Sequence, residues 1–411
     1  MPEFLKLTSP SQALQIFLSH LKNRVNAETL PTLEALGRVT VSPIFSPIPL
    51  PSFPRSTVDG YAVRAEDTFG SSESLPGYLR VKGEILMGAI PGFDLVRGEA
   101  ALIHTGGMLP DSSDAVVMLE NTQRIGTDNV EILRAVSAGE NVLKVGEDVE
   151  QGQEVIAAGV RLRPAEIGGL AALGILNVEV ARKPSVGILS SGDEVLPPDA
   201  ELKPGHVRDI NSYTLSALVE QVGGIPRRYG IFPDRFEILQ TVSANALEEC
   251  DLVVITAGSS ASARDLTARV ITGLGEPGVL VHGVNIKPGK PTILAVCKDK
   301  AVIGLPGNPV SALVIAGFYV VPVVELLLGL SSTPIRPMVR AKLNTNISSQ
   351  AGREDWVPTR MDLTPEGYRA EPIFSKSNLI FSLVRANGMI RVPSEVTGLS
   401  AGELVEVYLF T

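Results

Sequence analysis

Between residues 184 and 330 short, almost wholly apolar runs alternate with helix-like stretches, and this rhythm limits the fold more than anything else in the chain. Val186-Gly-Ile-Leu-Ser, Leu252-Val-Val-Ile-Thr, Thr292-Ile-Leu-Ala-Val and Ala301-Val-Ile-Gly read as buried strands, with 225–231 as a further extended segment. The spacing predicts helices over 211–222, 234–249 and 265–272, and a last one after Asn308. Strands without an exposed polar face, separated by helices, indicate a parallel sheet covered on both sides. Ligands of such sheets bind beyond the carboxyl ends of the strands.

The flanking regions differ in texture. Ser9-Pro10-Ser11-Gln12 presents an N-cap hydroxyl, a first-turn proline and a capping-box glutamine. Leu14, Phe17, Leu18 and Leu21 follow at helical spacing. Prolines 43, 47, 49, 51 and 54 then forbid a helix and mark a boundary. Over 55–140 the apolar runs 79–81, 101–103, 116–118 and 130–133 lie between turn residues, as in a small β-rich unit. Residues 142–182 are turn-rich and include a helix-like stretch from Pro164. From about 335 short extended segments return, as a second small β domain. The segment 310–330 is long enough to span a bilayer and carries one charge, Glu325. Pro322 in its middle, the Gly-Asn-Pro turn before it and the lack of flanking Lys or Arg predict a buried helix instead.

Composition narrows the function. The formal charge is −9, which excludes a general nucleic-acid backbone binder but not a local pocket for a small anion. The 39 glycines and 30 prolines exclude a helical bundle or coiled coil. Two cysteines, Cys250 and Cys297, support neither a disulfide framework nor a Cys-based zinc site, and point to a cytoplasmic protein. The N-terminus lacks a basic stretch followed by an apolar run, so no signal peptide is expected. His20, His104, His206 and His282 are scattered singly, and with Trp356 they are expected to pack or to face solvent.

Polar residues gather where the apolar strands end. Ser190-Ser191-Gly192-Asp193-Glu194 combines a glycine turn, which brings backbone N–H groups to an anion, with hard oxygen ligands; a plain polar turn is the alternative. Gly258-Ser259-Ser260 opens a helix as an anion cradle would, and Asp265 suits either a metal or a helix cap. Lys287-Pro288-Gly289-Lys290-Pro291 offers two point charges on a stiff turn, suited to a phosphate or oxyanion unless it is only a solvated basic turn. Pro306-Gly307-Asn308-Pro309-Val310-Ser311 opens the long apolar helix, whose N-terminus favours an anion, with Asn308 and Ser311 to cap or contact it. In the β-rich unit, Arg55-Ser56-Thr57-Val58-Asp59-Gly60 suits phosphate contact and metal or water handling, or else a turn with a satisfied carboxylate. Together these describe a phosphate-anchoring pocket with carboxylates for a divalent cation, as in Mg²⁺-assisted phosphate-ester chemistry.

The chain resembles the molybdopterin molybdenumtransferases, the MoeA family shared with the C-terminal domain of gephyrin. Pro54-Arg-Ser-Thr-Val-Asp-Gly-Tyr-Ala-Val, Ile103-His-Thr-Gly-Gly-Met-Leu-Pro with Asp114-Ala-Val-Val and Glu120, and Gly146-Glu-Asp148 carry the resemblance. Ser191-Gly-Asp-Glu, Arg208-Asp209-Ile-Asn211-Ser212, Lys287-Pro-Gly-Lys-Pro and Gly304-Leu-Pro-Gly-Asn-Pro-Val-Ser-Ala extend it over nearly the whole chain. It implies an elongated four-domain subunit of mixed α/β and β class. A linker domain is formed from 1–43 and 142–182, with a β-rich domain, 44–141, inserted between them. A doubly wound α/β domain, 183–330, and a C-terminal β domain, 331–411, follow. It further implies a homodimer with the active site between the α/β domain of one subunit and the inserted domain of the other.

The implied reaction inserts molybdate into adenylylated molybdopterin, with Mg²⁺-dependent release of AMP. Asp59, Asp148, Glu194 and Asp265 become the candidate catalytic acids, with Asp59, Glu194 and Asp265 also the metal ligands. Lys287 and Lys290 would hold phosphate or the oxyanion, and Thr105 matches the family's Thr-Gly motif. Asp209, Asn211, Ser212, Asn308 and Ser311 would line the pterin-nucleotide pocket. Arg55, Thr57, Ser191, Gly192 and Asp193, with Gly258, Ser259, Pro306 and Gly307, complete the substrate contacts. Other molybdenum cofactor biosynthesis proteins are expected partners; nucleic acid and membrane are not. The loop from Gly258 to Asp265 departs from the family's Gly-Gly-Val-Ser-Val-Gly pattern: it is one residue shorter and sets Arg264 beside the Asp. Gly352-Arg-Glu-Asp-Trp departs mildly from Gly-Arg-x-Glu-aromatic. A non-catalytic scaffold, a protein that binds the pterin nucleotide without cleaving it, and a tungstate-preferring variant are the alternatives.

Overall fold

The computed structural model describes residues 7–258, 261–331 and 337–410, with backbone alone at 261–263. The chain forms two compact units. One gathers Met1–Val41, Ala158–Arg163 and Asn177–Thr411; the other gathers Ser42–Ala157 and Pro164–Leu176.

The first unit holds the α/β sheet. Its strands lie in the order Ile225–Phe232, Ser185–Ser191, Leu252–Ala257, Lys300–Pro306, Ile293–Cys297, Pro277–His282. The first four are parallel, and Ile293–Cys297 pairs antiparallel with both of its neighbours. The expected all-parallel sheet is therefore corrected to a mixed one. Cys297 pairs with Lys300, so only Lys298 and Asp299 join the two strands, both at positive φ (50° and 60°). That is the backbone of a two-residue hairpin, and a parallel crossover needs a dozen residues or more.

Alternate residues of each central strand feed two cores. Ile188, Val254 and Ile303 pack on one face with Phe17 and the helix Pro309–Leu327; Leu189, Val253, Ile255 and Val302 pack on the other with Leu239 and Val270. Both faces are dry, which is why the strands read as unbroken apolar runs. The helix Pro309–Leu327 is long and apolar enough to cross a membrane, yet 67% of its most apolar window is buried within the fold. Tyr319 is fully enclosed, and its hydroxyl donates to the Pro10 carbonyl at 3.3 Å. The first helix, Pro10–Ser19, starts as the sequence indicates, with Ser9 Oγ accepting from Gln12 N–H. It inserts Phe17, with no exposed surface, into the first core. Phe17→Ala is expected to cost about 3–5 kcal/mol, read as a lower urea midpoint.

The same unit ends in a closed β-sheet. Glu354–Thr364 pairs with both Gly367–Pro372 and Gly388–Val392, and Met338–Leu343 and Leu404–Leu409 complete the circuit. Closure leaves few free edges, which makes so small a β domain self-contained. Trp356 packs between Phe318 and Tyr408, with ring centroids at 4.9 and 5.0 Å, as its packing reading anticipates.

The second unit is built on a six-stranded sheet in the order Ala115–Met118, Gly60–Val63, Glu99–Ile103, Gly77–Ile85, Asn129–Ile132, Thr122–Ile125. Tyr61 and Val63 enter one core and Ala62 the other, so this sheet too is covered on both faces. The helix Pro164–Ala172 belongs to this unit.

Candidate active site

In the α/β sheet the three neighbouring strands Ser185–Ser191, Leu252–Ala257 and Lys300–Pro306 end side by side. Ser190 is level with Thr256, Thr256 with Leu305, and Ala257 with Pro306. Most α/β residues singled out in the sequence meet at this edge. Ser190 Oγ donates to Asp209 Oδ2 at 3.0 Å, and Asp209 Oδ1 accepts from Ser212 N–H at 3.1 Å. Asp209 is thus a buried holder of the helix Asn211–Gln221, with both oxygens engaged. Asn211 donates through Nδ2 to the Gly307 carbonyl at 2.8 Å. Its Oδ1 is buried and has no hydrogen-bond partner among the described residues. Gly307 permits the close approach of the neighbouring turns: a Cβ there would lie 2.7 Å from the Ala257 carbonyl oxygen and 3.3 Å from Gly258 Cα.

Ser191 Oγ donates to Asp234 Oδ1, and Asp193 Oδ1 accepts from Asp234 N–H at 3.4 Å. Asp234 follows the strand Ile225–Phe232 and is a site residue that the sequence does not single out. Gly192 has φ of 151°, and Glu194 is exposed just beyond it. Asp265 is exposed as well, but it does not cap its helix. The helix starts at Ala261, four residues before Asp265, so the predicted start at 265 is corrected. Ser259 lies outside the described residues.

The antiparallel strand Ile293–Cys297 begins where its parallel neighbour ends, with Ile293 level with Gly304. The turn Lys287–Lys290 is thereby delivered to the same edge of the sheet. Gly289 packs against Ile315, one helical turn beyond the buried Ser311. Both lysines are exposed. Lys287 Nζ lies 3.9 Å from Asp355 Oδ2, and Arg353 grips the same buried carboxylate at 2.6 and 2.9 Å. Arg353 is a further cation at this turn that the sequence reading had noted only as part of a deviating motif.

The N-terminus of the long helix differs from expectation. Asn308 occupies the cap position without a side-chain cap bond; its Nδ2 donates to Ser377 Oγ at 3.1 Å. Val310 N–H donates to the Ser377 carbonyl at 3.1 Å. A loop of the C-terminal domain therefore takes a donor that the sequence reading reserved for an anion.

In the second unit, the loop after Glu99–Ile103 turns back onto the Arg55–Asp59 segment. Ser56 N–H donates to Gly107 O, Gly106 N–H to Ser56 O, and Thr57 N–H to Asn141 O. Asp59 Oδ1 accepts from Thr105 N–H at 2.8 Å and from Thr105 Oγ at 3.1 Å. His104 Nδ1 stands 3.8 Å from the same oxygen, and His104 Nε2 lies 2.9 Å from Glu84 Oε1. The sequence reading classed His104 as packing or surface and did not consider Glu84. The Thr105 N–H bond, then the Thr105 hydroxyl, hold the Asp59 carboxyl below its usual range. Oδ2 has no partner among the described residues, so Asp59 presents one committed and one open oxygen. Arg55 and Thr57 are exposed beside it. Asp148 lies on a different turn, with its N–H on the Leu50 carbonyl at 3.0 Å, and its carboxylate is exposed. No three His, Cys, Asp or Glu side chains form a metal-holding cluster among the described residues.

Comparison with known proteins covers both units. Residues 8–174 match the model of the MoeA N-terminal region (domain I and II), residues 187–326 that of the probable molybdopterin binding domain, and residues 340–410 that of the MoeA C-terminal region (domain IV). Two solved structures of a molybdopterin biosynthesis MoeA protein from Pyrococcus horikoshii are similar. One has 40% identity and TM-score 0.82 over 99% of this chain and 100% of the other. The second has 33% identity and TM-score 0.86 over 98% and 100%. A protein of Nostoc sp. named molybdopterin molybdenumtransferase is 33% identical over 393 residues, 94% of this chain and 89% of its own. The chain belongs to the MoeA family of molybdopterin molybdenumtransferases.

Proposed function

We propose that this protein is a cytoplasmic transferase of molybdenum cofactor synthesis, which inserts molybdate into adenylylated molybdopterin and releases AMP in a Mg²⁺-dependent step. The end-to-end likeness to the Nostoc enzyme carries this assignment, and the strand-end geometry agrees with it. The buried Asn211 Oδ1 accepts a donor of the pterin nucleotide. Lys287 and Lys290, exposed at the same edge, neutralise the dianionic molybdate or the phosphates. Asp59, ionised and pinned through Oδ1, turns its open oxygen to the reacting phosphoanhydride or to its cation.

The donors fit magnesium. Mg²⁺ takes one or two carboxylates, keeps several waters and uses substrate phosphates, so no all-protein cage is required. Glu194 and Asp265 in one unit and Asp59 in the other are the candidate donors, each exposed and able to offer a hard oxygen. Bound there, the ion would withdraw charge from the phosphoanhydride as AMP leaves. Partners follow from the same assignment: a second copy of the chain as a homodimer, and the proteins that supply and receive the cofactor.

Purified protein given adenylylated molybdopterin, molybdate and Mg²⁺ is expected to release AMP, and chelation of Mg²⁺ to stop it. Binding of the nucleotide without AMP release would replace the transferase with a binding protein. Light scattering at twice the 43.6 kDa chain mass is the expected reading for the dimer.

A further inference from the structure

We propose that Glu84 and His104 are positioning residues for Asp59. They steady the loop and carboxylate so that Oδ1 stays committed to Thr105 and Oδ2 faces the substrate. This rests on the transferase assignment and adds two residues to it.

Three adjacent strands bring the groups together. Gly77–Ile85 and Glu99–Ile103 run parallel, with Glu84 level with Leu102 and Ile85 with Ile103. Gly60–Val63 runs antiparallel to the second of these, with Gly60 level with Ile103. Two strands therefore end, and one begins, at the same edge of the sheet. Glu84 lies one residue before the end of its strand, His104 one residue after its own, and Asp59 one residue before the third begins. The row is fixed by backbone register rather than by chance contact of long surface side chains.

The bonds then assign roles. His104 Nε2 lies 2.9 Å from Glu84 Oε1, within hydrogen-bond reach. That bond fixes the ring orientation and leaves Nδ1 facing Asp59 Oδ1 at 3.8 Å. Thr105, the next residue, supplies both donors to that oxygen. Thr105 follows His104 directly, so the loop that carries the ring also carries both donors to Asp59. Glu84 and His104 are both partly exposed, with side-chain exposures of 49% and 42%. Exposed pairs of this kind contribute little to folding, so an effect on turnover separates cleanly from one on stability.

The test uses the full chain with Glu84→Gln, His104→Gln, and each combined with Asp59→Asn. Turnover is expected to fall roughly tenfold in each single variant, the scale for groups that orient a reacting side chain, with KM and melting temperature unchanged. Combined with Asp59→Asn, neither change should slow the enzyme further, because there is no ionised carboxylate left to orient. Wild-type turnover in His104→Gln, or losses that multiply with that of Asp59→Asn, overturns the proposal. The Thr105 amide proton resonance of substrate-free protein gives a second, activity-independent reading. Both single variants should move it away from its wild-type position, and an unmoved resonance also overturns the proposal. A wild-type chain that releases no AMP removes the transferase assignment, while the Thr105 resonance still decides the roles of Glu84 and His104.

Discussion

Asp59→Asn is expected to lower AMP release by about 100-fold or more while leaving the protein folded. The magnitude is that of removing one preorganised polar group from a charge-developing centre. Asparagine keeps the shape and can still accept from Thr105, so the loss reports the missing charge on the outward atom. Folding is spared because the side chain is exposed, and its backbone carbonyl still accepts from Leu119 N–H at 3.0 Å. The pH dependence has a definite sign. Thr105 holds the Asp59 carboxyl below its ordinary 3.8. A carboxyl depressed in the folded state makes its full contribution above the ordinary value and loses it as pH falls through the depressed one. Asp59 is therefore ionised throughout the neutral range, and any loss of rate between pH 5 and 7 belongs to another group. A stopped assay across pH 4–8 checks both points: an Asp59→Asn enzyme with more than half the wild-type rate would remove Asp59 from the chemistry.

The α/β core was legible because burial on both faces leaves a compositional trace. Ile188 and Leu189 go to opposite cores, so neither position tolerates a polar residue and the strand reads as one apolar run. The long helix was legible for the same reason: Pro322 and the preceding turn argue against a membrane, and the fold encloses Tyr319 and Val320. The hairpin at Lys298 and Asp299 was not read, because positive φ at two consecutive positions normally announces itself through Gly or Asn. Counting the residues between Cys297 and Lys300 would have found it. Site residues within one loop, such as Asp59 and Thr57, were visible as a motif. Those supplied by register were not: Glu84 meets His104 in one unit, and Asp234 and Ser377 meet Ser191 and Asn308 in the other, only after strands and loops come together, and no local spacing records that.

Gly289→Ala is expected to destabilise the protein by about 3 kcal/mol or more, from two separable causes. The residue sits at φ 114°, where a side chain is strained whatever the surrounding space. An added Cβ would also lie 2.2 Å from Ile315 Cγ1 and 2.3 Å from Cδ1. Ile315 is fully buried on the long helix and cannot swing into solvent. The turn has little freedom to move either: the Gly289 carbonyl accepts from Thr292 Oγ at 2.6 Å, and the Lys290 carbonyl from Val284 N–H at 2.9 Å. Relief must therefore come from displacing the turn that carries Lys287 and Lys290. A higher KM for molybdate should accompany the lower urea midpoint. Truncating the opposing side chain separates the causes. Ile315→Ala alone costs about 2–5 kcal/mol through its cavity, but in the double variant the new methyl occupies part of that space. The two penalties should then fall short of their sum by about 1–2 kcal/mol, with the backbone strain as the residue. Strict additivity would show that Gly289 and Ile315 are not in contact, and an unchanged midpoint for Gly289→Ala alone would show that the turn is free to yield; in either case the lysines are not held to the helix as the packing requires.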